Sequence, residues 1–431
     1  MTTPGGRRCV AAASSDAARV AIRRKGGRRR MFHGIRIVEL AQYIFVPAAT
    51  ALLADQGAEV IKVEAPGGDP YRTLKVGDGR ETASANLALE QNNRGKKSIV
   101  LDLKRPEGRD ALLRILDSAD VFVTSLRPAA LERLGLDAAA LRARNPRLIY
   151  ARANGVGFRG PDAGKAGFDA SSFWARGGFA DLLMPDGAPA PARTRPALGD
   201  HASAMSFAFG IVAALFYRER TGVARLVETS LLANAAWILS ADLAVACAKG
   251  GAPGAPAAGK MTPLPLQRAY RTADDRWVQV MILAPDRHWP SFCHMIGLEA
   301  VLDDPLFMTM EGRIENGAAL VARIAERIAM RPWSEWHPLF LAWDGAWELV
   351  QGIAELSADP QLRSNDMLFD VKADDGTPVT LVSGPVAYDG HAAPPSPRRA
   401  PRLDEHGAQL LADAGYAESE IVRMRSAGVM R

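Results

Sequence analysis

A doubly wound α/β domain carrying a smaller α+β domain is the fold class this chain predicts. Three observations lead there. Runs of β-branched residues alternate with helical segments from Ile35 to Ala153, the rhythm of a parallel sheet with crossover helices. A stretch of Gly, Ala and Pro at residues 250–259 then reads as a linker. Beyond it, six of the eight tryptophans fall between Trp277 and Trp347, so a second core begins there.

Taken in order, Ile35–Leu40 is the first strand and Ala41–Val46 the loop after it. Pro47 then sits just inside a helix, at the favoured first position, and the helix ends near Gly57. Strands follow at Glu59–Glu64, Ser98–Leu103, Val121–Thr124 and Leu148–Ala153, with helices at Pro106–Ser118 and, in two pieces broken at Gly135, Ala129–Asn145. Such a sheet is Rossmann-like, and its ligands sit at the carboxyl ends of the strands. That selects the loops starting at Ala41, Ala65, Lys104, Ser125 and Asn154.

Residues 155–199 are rich in Gly and Pro. An apolar helix runs from Asp200 to about Glu219, followed by a strand at Leu226–Ser230 and a helix at Leu231–Lys249. In the second unit, hairpins are expected around Asp274–Asp275 and around Asp374–Gly376, with helices near Trp289–Ile296 and Ala318–Met330. Asp404–Arg425 returns as terminal helices. The domains are therefore expected as a disordered basic extension (1–30), a large domain (31–230 with 395–431), a helix and linker (231–265) and a small domain (266–394).

Composition narrows the function. The formal charge of +5 is concentrated at the start: residues 1–30 hold nine Arg or Lys and one acid, leaving 44 basic against 47 acidic residues elsewhere. A nucleic-acid role would rest on that tail alone, and no nucleic-acid partner is expected. The tail lacks the apolar run of a secretory signal and reads as a disordered extension, or as sequence ahead of a true start at Met31. Three scattered cysteines fit a reducing cytoplasm. No metal-ligand spacing occurs, and the longest apolar stretches are interrupted by polar residues, so neither a metal nor a membrane span is expected. The first loop lacks GxGxxG and the chain lacks GxxxxGK[ST], which argues against a dinucleotide dehydrogenase or a P-loop NTPase.

The loops do carry cations: Lys62, Arg72, Arg94, Lys96, Lys97, Lys104, Arg127 and Arg133. A ligand with several phosphates and an apolar body suits such a set, and solvated surface charge is the plainer alternative. At the mouth of the apolar helix stands Leu198-Gly199-Asp200. Gly199 permits unusual backbone angles, and Asp200 occupies an expected N-cap position. Cys293-His294 reads as core packing rather than a nucleophile and its base.

With these residues in view the chain resembles the class III CoA-transferases. The resemblance covers about Phe32 to Met430 and rests on the runs GAEVIKVE at 57–64, NRGKKSIVLDLK at 93–104 and LERLG at 131–135 after Arg127-Pro128. Leu198-Gly199-Asp200, GIVAAL at 210–215, Arg218 with Arg220-Thr221-Gly222, and Asp359-Pro360-Gln361 complete it. The order and spacing of the blocks make it specific.

The resemblance implies an acyl-CoA:carboxylate CoA-transferase in which Asp200 is the nucleophile, ionised at neutral pH by the helix N-terminus, with nearby amides holding an oxyanion. It implies CoA contacts at Ile44, Phe45, Leu101, Asp102, Leu103, Lys104, Ser125, Leu126, Arg133, Phe168 and Asp169. Ser125 and Ala65 stand where formyl-CoA transferase has Asn and Arg, so Arg72, Lys104 or Arg127 would take over phosphate binding. That enzyme's glycine-rich loop has no counterpart at 263–268 or 283–287, which speaks against a formyl or oxalate substrate. The related 2-methylacyl-CoA racemases place a His where this chain has Phe168, and an aromatic ring exchanges no proton, so transfer is favoured over racemisation. A non-catalytic acyl-CoA binding protein is the third reading. Coenzyme A is the transferred group and no further cofactor is implied. Partners would be an acyl-CoA, a carboxylic acid acceptor and a second copy of the chain in an interlocked homodimer.

Overall fold

The computed structural model describes residues 30–74, 86–185, 187–250, 264–283, 285–392, 394 and 397–431. The basic extension up to residue 29 and most of the 250–259 linker therefore lie outside the described residues. So do parts of the two segments in which a glycine-rich loop was sought.

Six parallel strands form the main sheet: β1 (Arg36–Leu40), β2 (Glu59–Glu64), β3 (Lys97–Val100), β4 (Val121–Thr124), β5 (Ile149–Asn154) and β6 (Leu226–Ser230). Their order is β3-β2-β1-β4-β5-β6. Ile37 pairs with both Val60 and Val121, which places β1 beside β2 and β4. The strand order reverses there, and the crevice at this switch point is where ligands of such sheets bind.

The strands are apolar on both sides because helices cover both faces. On one face α1 (Phe45–Asp55) packs on β1 and β2 and beside a long helix, α6 (Leu198–Thr221), which itself packs on β5 and β6, with Phe45, Ala49, Phe207 and Ile211 in one core. On the other face lie α3 (Pro106–Asp117), α4 (Pro128–Leu134) and α5 (Ala138–Arg144), together with the terminal helices α12 (Gly407–Asp413) and α13 (Glu418–Ser426). Leu112, Leu131, Leu411 and Ile421 meet Val38, Ile61 and Phe122 there. A further helix, α2 (Leu87–Asn93), precedes β3 and is capped by Asn86.

The second unit is built on an antiparallel sheet of β7 (Gln267–Arg271), β8 (Trp277–Met281) and β9 (Trp347–Leu349). Helices α9 (Pro285–Ile296), α10 (Gly317–Ile328) and α11 (Trp333–Ala342) pack on it. Trp289, Trp336 and Trp343 lie in that core. Cys293 is fully buried in it, and burial pushes its thiol up to about 12, so it is packing and not a nucleophile. The hairpin β10–β11 (Leu368–Lys372 and Pro378–Val382) is a separate two-stranded sheet that packs on α2 through Leu87.

Several elements differ from the sequence reading. Pro47 is the third residue of α1, which begins at Phe45. Strand β3 stops at Val100, and the expected helix over Leu231–Lys249 is two helices, α7 (Leu231–Ile238) and α8 (Ser240–Lys249), bent by 80°. By length and composition α6 could cross a membrane, but its inner face belongs to the large core.

Candidate active site

The start of α6 is built from two separate stretches of chain. A π-helical turn, Asp169–Ala175, brings Asp169 and Phe173 against it, and the Asp169 Oδ1 atom accepts a hydrogen bond from the Gly199 amide at 3.0 Å. The helix is entered through Ala197 in the left-handed region at φ +68°. A Cβ on Gly199 would lie 2.2 Å from the Phe173 ring and 2.5 Å from Asp169 Oδ1. Gly199 is thus required for close approach, and its own backbone is ordinary helix. Asp169 is the cap, reaching in from outside the helix, and Asp200 is the third helical residue. This corrects the expectation that Asp200 itself is the N-cap.

The electrostatics change with it. Among the described residues the Asp200 carboxyl has no hydrogen-bond or ion-pair partner. Burial, reinforced by the charge of Asp169, pushes it up to about 7. Asp169 is also raised by burial, opposed by the amides of Gly199, Ala197 and Leu198. At neutral pH Asp200 is therefore poised between its two forms. The amides expected to support an oxyanion face Asp169 instead.

The first βα loop connects this pair to the switch-point crevice. Lys62 is fully buried on β2 and pairs with Glu39 at 3.0 Å and Asp69 at 2.9 Å, while donating to the carbonyl of Ala41 at 3.1 Å. Lys96 pairs with the same Glu39 at 2.7 Å, and Thr50 donates to it as well. Burial works against the charge on Lys62, yet the neighbouring carboxylates outweigh it and hold the ammonium charged. Asp69 Oδ1 accepts from the amides of Tyr43 and Tyr71, so the buried charges fix the loop from Ala41 to Tyr43. The Tyr43 ring stands edge-on to Phe168, with centroids 5.5 Å apart.

The crevice has a volume of about 790 Å³ and is lined by the ends of β1, β2 and β3 with α4. Leu101, Asp102, Leu103, Lys104, Leu126 and Arg133 all face it, as does Arg109. The loop after β3 is braced by the chain end, where the Asp102 amide donates to the Val429 carbonyl at 2.8 Å. Sequence reasoning missed Arg109. Its signal is its place in the first turn of the helix following Lys104, one turn from a strand end where phosphates collect.

Other expected contacts stand apart from this crevice. Arg72 is engaged by Glu64 at 2.7 Å and donates to the Pro401 carbonyl, so it braces the loop after β2. Lys62, Lys96 and Arg94, the last paired with Asp55 at 2.7 Å, are likewise structural and not free loop cations. Phe45 packs on Phe207 in the core, and Ile44 is buried beside a second cavity of about 560 Å³ that also touches Asn92, Arg94 and His201. Ser125 accepts from the Gln42 amide, and Arg127 is exposed at the start of α4. Phe168 and Asp169 belong to the Asp200 cluster. Among the described residues no three His, Cys, Asp or Glu side chains are gathered as metal ligands.

A doubly wound sheet whose switch-point crevice carries Lys104, Arg109 and Arg133, with an unpartnered carboxyl at the start of α6, defines an α/β protein with the groups for a phosphate-bearing ligand and an acid–base or nucleophilic step. The chain belongs to CoA-transferase family III, which it matches over residues 32–407. It is 34% identical to the cinnamoyl-CoA:phenyllactate CoA-transferase of Clostridium sporogenes, covering 91% of this chain and 95% of that one. It is 31% identical to the (R)-2-hydroxy-4-methylpentanoate CoA-transferase of Clostridioides difficile, covering 93% and 100%. The crystal structure of Rv3272 from Mycobacterium tuberculosis superposes with a TM-score of 0.76 at 30% identity, covering 88% of this chain and 99% of that one. The chain is an enzyme that transfers CoA.

Proposed function

We propose that the protein exchanges CoA between two organic acids through covalent intermediates on Asp200. The Asp200 carboxylate attacks the thioester carbonyl of an acyl-CoA, the C–S bond breaks, and a mixed anhydride and CoA thiolate result. The thiolate then attacks the Asp200 acyl carbon, releasing the first acid as its carboxylate and leaving an aspartyl-CoA thioester. An acceptor carboxylate runs the two steps in reverse and regenerates Asp200. Each intermediate keeps the acyl group activated as long as water is excluded.

The observation that carries this reading is the Asp200 carboxyl itself: mostly buried, without a partner among the described residues, and joined through the Asp169–Gly199 contact and the Tyr43 loop to the crevice. In this reading Lys104, Arg109 and Arg133 bind the CoA phosphates, with exposed Arg127 at the rim. Replacing Asp200 by Asn tests it: the variant should fold and lose exchange with every acyl-CoA and acid pair. Activity in an Asn variant shown by mass spectrometry not to have deamidated would refute it.

We further read the working form as a homodimer. Phe209, Phe216 and Trp237 are 75%, 63% and 77% exposed on α6 and α7, a large apolar area for a lone chain. The described cysteines Cys247 and Cys293 are free thiols, which supports a reducing, cytoplasmic setting.

A further inference from the structure

Six non-glycine residues among those described have left-handed backbones, and four of them are aspartates, which tolerate that region. The other two are Ala197 and Tyr43. Ala197 introduces the helix of Asp200. Tyr43, at φ +66°, is the bulky one, and strain of that kind survives only where the surroundings impose it. Here Asp69 holds the Tyr43 amide at 3.2 Å, Lys62 holds Asp69, and the same ammonium holds the carbonyl of Ala41.

The strained residue is directed at the active site. Its ring meets Phe168 at an interplanar angle of 88° and Tyr71 at 69°. Phe168 is 57% exposed although the next residue, Asp169, is buried. Phe168 and Asp200 are each one residue from the Asp169–Gly199 hydrogen bond, so the backbones that carry the open aromatic ring and the carboxyl meet at one junction.

We propose that Tyr43 and Phe168 form the wall that receives the acyl group, and that the site selects carboxylic acids bearing an aryl ring over short-chain acids and dicarboxylic acids. The inference rests on the CoA-exchange reading of the site. A planar apolar group packs on an exposed edge-to-face pair through offset stacking, a contact that a two- or three-carbon chain does not make. A second carboxylate fares worse. The cations that frame the loop are already committed, Lys62 and Lys96 to Glu39, Arg72 to Glu64 and Arg94 to Asp55, so the added charge would be desolvated without a free partner among them.

The test supplies the full-length protein with 3-phenylpropionyl-CoA and offers labelled 3-phenylpropionate, propionate or succinate as acceptor, following the CoA esters by mass. The wild type should favour 3-phenylpropionate in kcat/KM by about 10-fold or more. Tyr43→Ala and Phe168→Ala should each lower that ratio by about 10-fold, and Tyr43→Phe should keep it. If Tyr43→Ala does not fold, Tyr43→Gly accepts the left-handed backbone and serves instead. Equal use of the three acids by the wild type overturns the inference. So does a preference that survives both alanine variants, including the case in which Phe168→Ala alters only the oligomeric mass. Absence of exchange with a broad acyl-CoA panel, or exchange that persists in Asp200→Asn, would instead refute the underlying CoA-transfer reading.

Discussion

Asp200 and Asp169 divide between them two duties that the sequence appeared to give to one residue. Capping is done by Asp169, whose inward turn depends on Gly199 lacking a side chain. Gly199→Ala should therefore cost about 1–3 kcal/mol, the usual penalty of overpacking, and reduce turnover, as checked by urea unfolding and exchange assay. Freed from capping, Asp200 keeps its charge at an energetic cost. Its folded pKa of about 7 lies above that of a free Asp, so its contribution to stability is complete at low pH and is lost as pH rises towards and through 7. Asp200→Asn should then be more stable than the wild type in urea unfolding at pH 8, by on the order of 2 kcal/mol, with the gap closing near pH 4. Exchange by the wild type should show the opposite trend, rising with pH through about 7 as the nucleophile ionises.

At the scale of elements, the alternation from Ile35 to Ala153 was legible because buried parallel strands are continuous apolar runs bounded by Gly and Pro. The terminal helices were legible from Asp404 onward, as was the hairpin about Asp274–Asp275. The break between α7 and α8 was not, since no Gly or Pro marks Leu239. Asp169 as the cap of α6 was hidden because the contact joins residues far apart in sequence. The loop cations misled because nothing local distinguishes a cation that lines the crevice, such as Lys104, from a buried strut such as Lys62. That distinction is testable. Lys62→Met strands Glu39 and Asp69 beside a single remaining lysine, and should destabilise the protein by about 3–5 kcal/mol in urea unfolding. A cost below about 1 kcal/mol would show that the cluster does not fix the loop.

For the whole molecule, the strand order reverses between β2-β1 and β4, and the crevice opens at the carboxyl ends of those strands, where ligands of such sheets bind. The exposed aromatics of α6 and α7 lie on the helix that carries Asp200 and on its neighbour, so association and activity are expected to be coupled. Phe209→Glu with Trp237→Glu should halve the mass seen by light scattering and reduce exchange; an unchanged mass would remove that face from the dimer reading. The most direct measurement is trapping. Incubation with an isotopically labelled acyl-CoA, quenching with hydroxylamine and peptide mass spectrometry should find a hydroxamate on Asp200 and none in Asp200→Asn. A protein that exchanges CoA at its full rate with no adduct on Asp200, or with the adduct on another residue, would contradict the account.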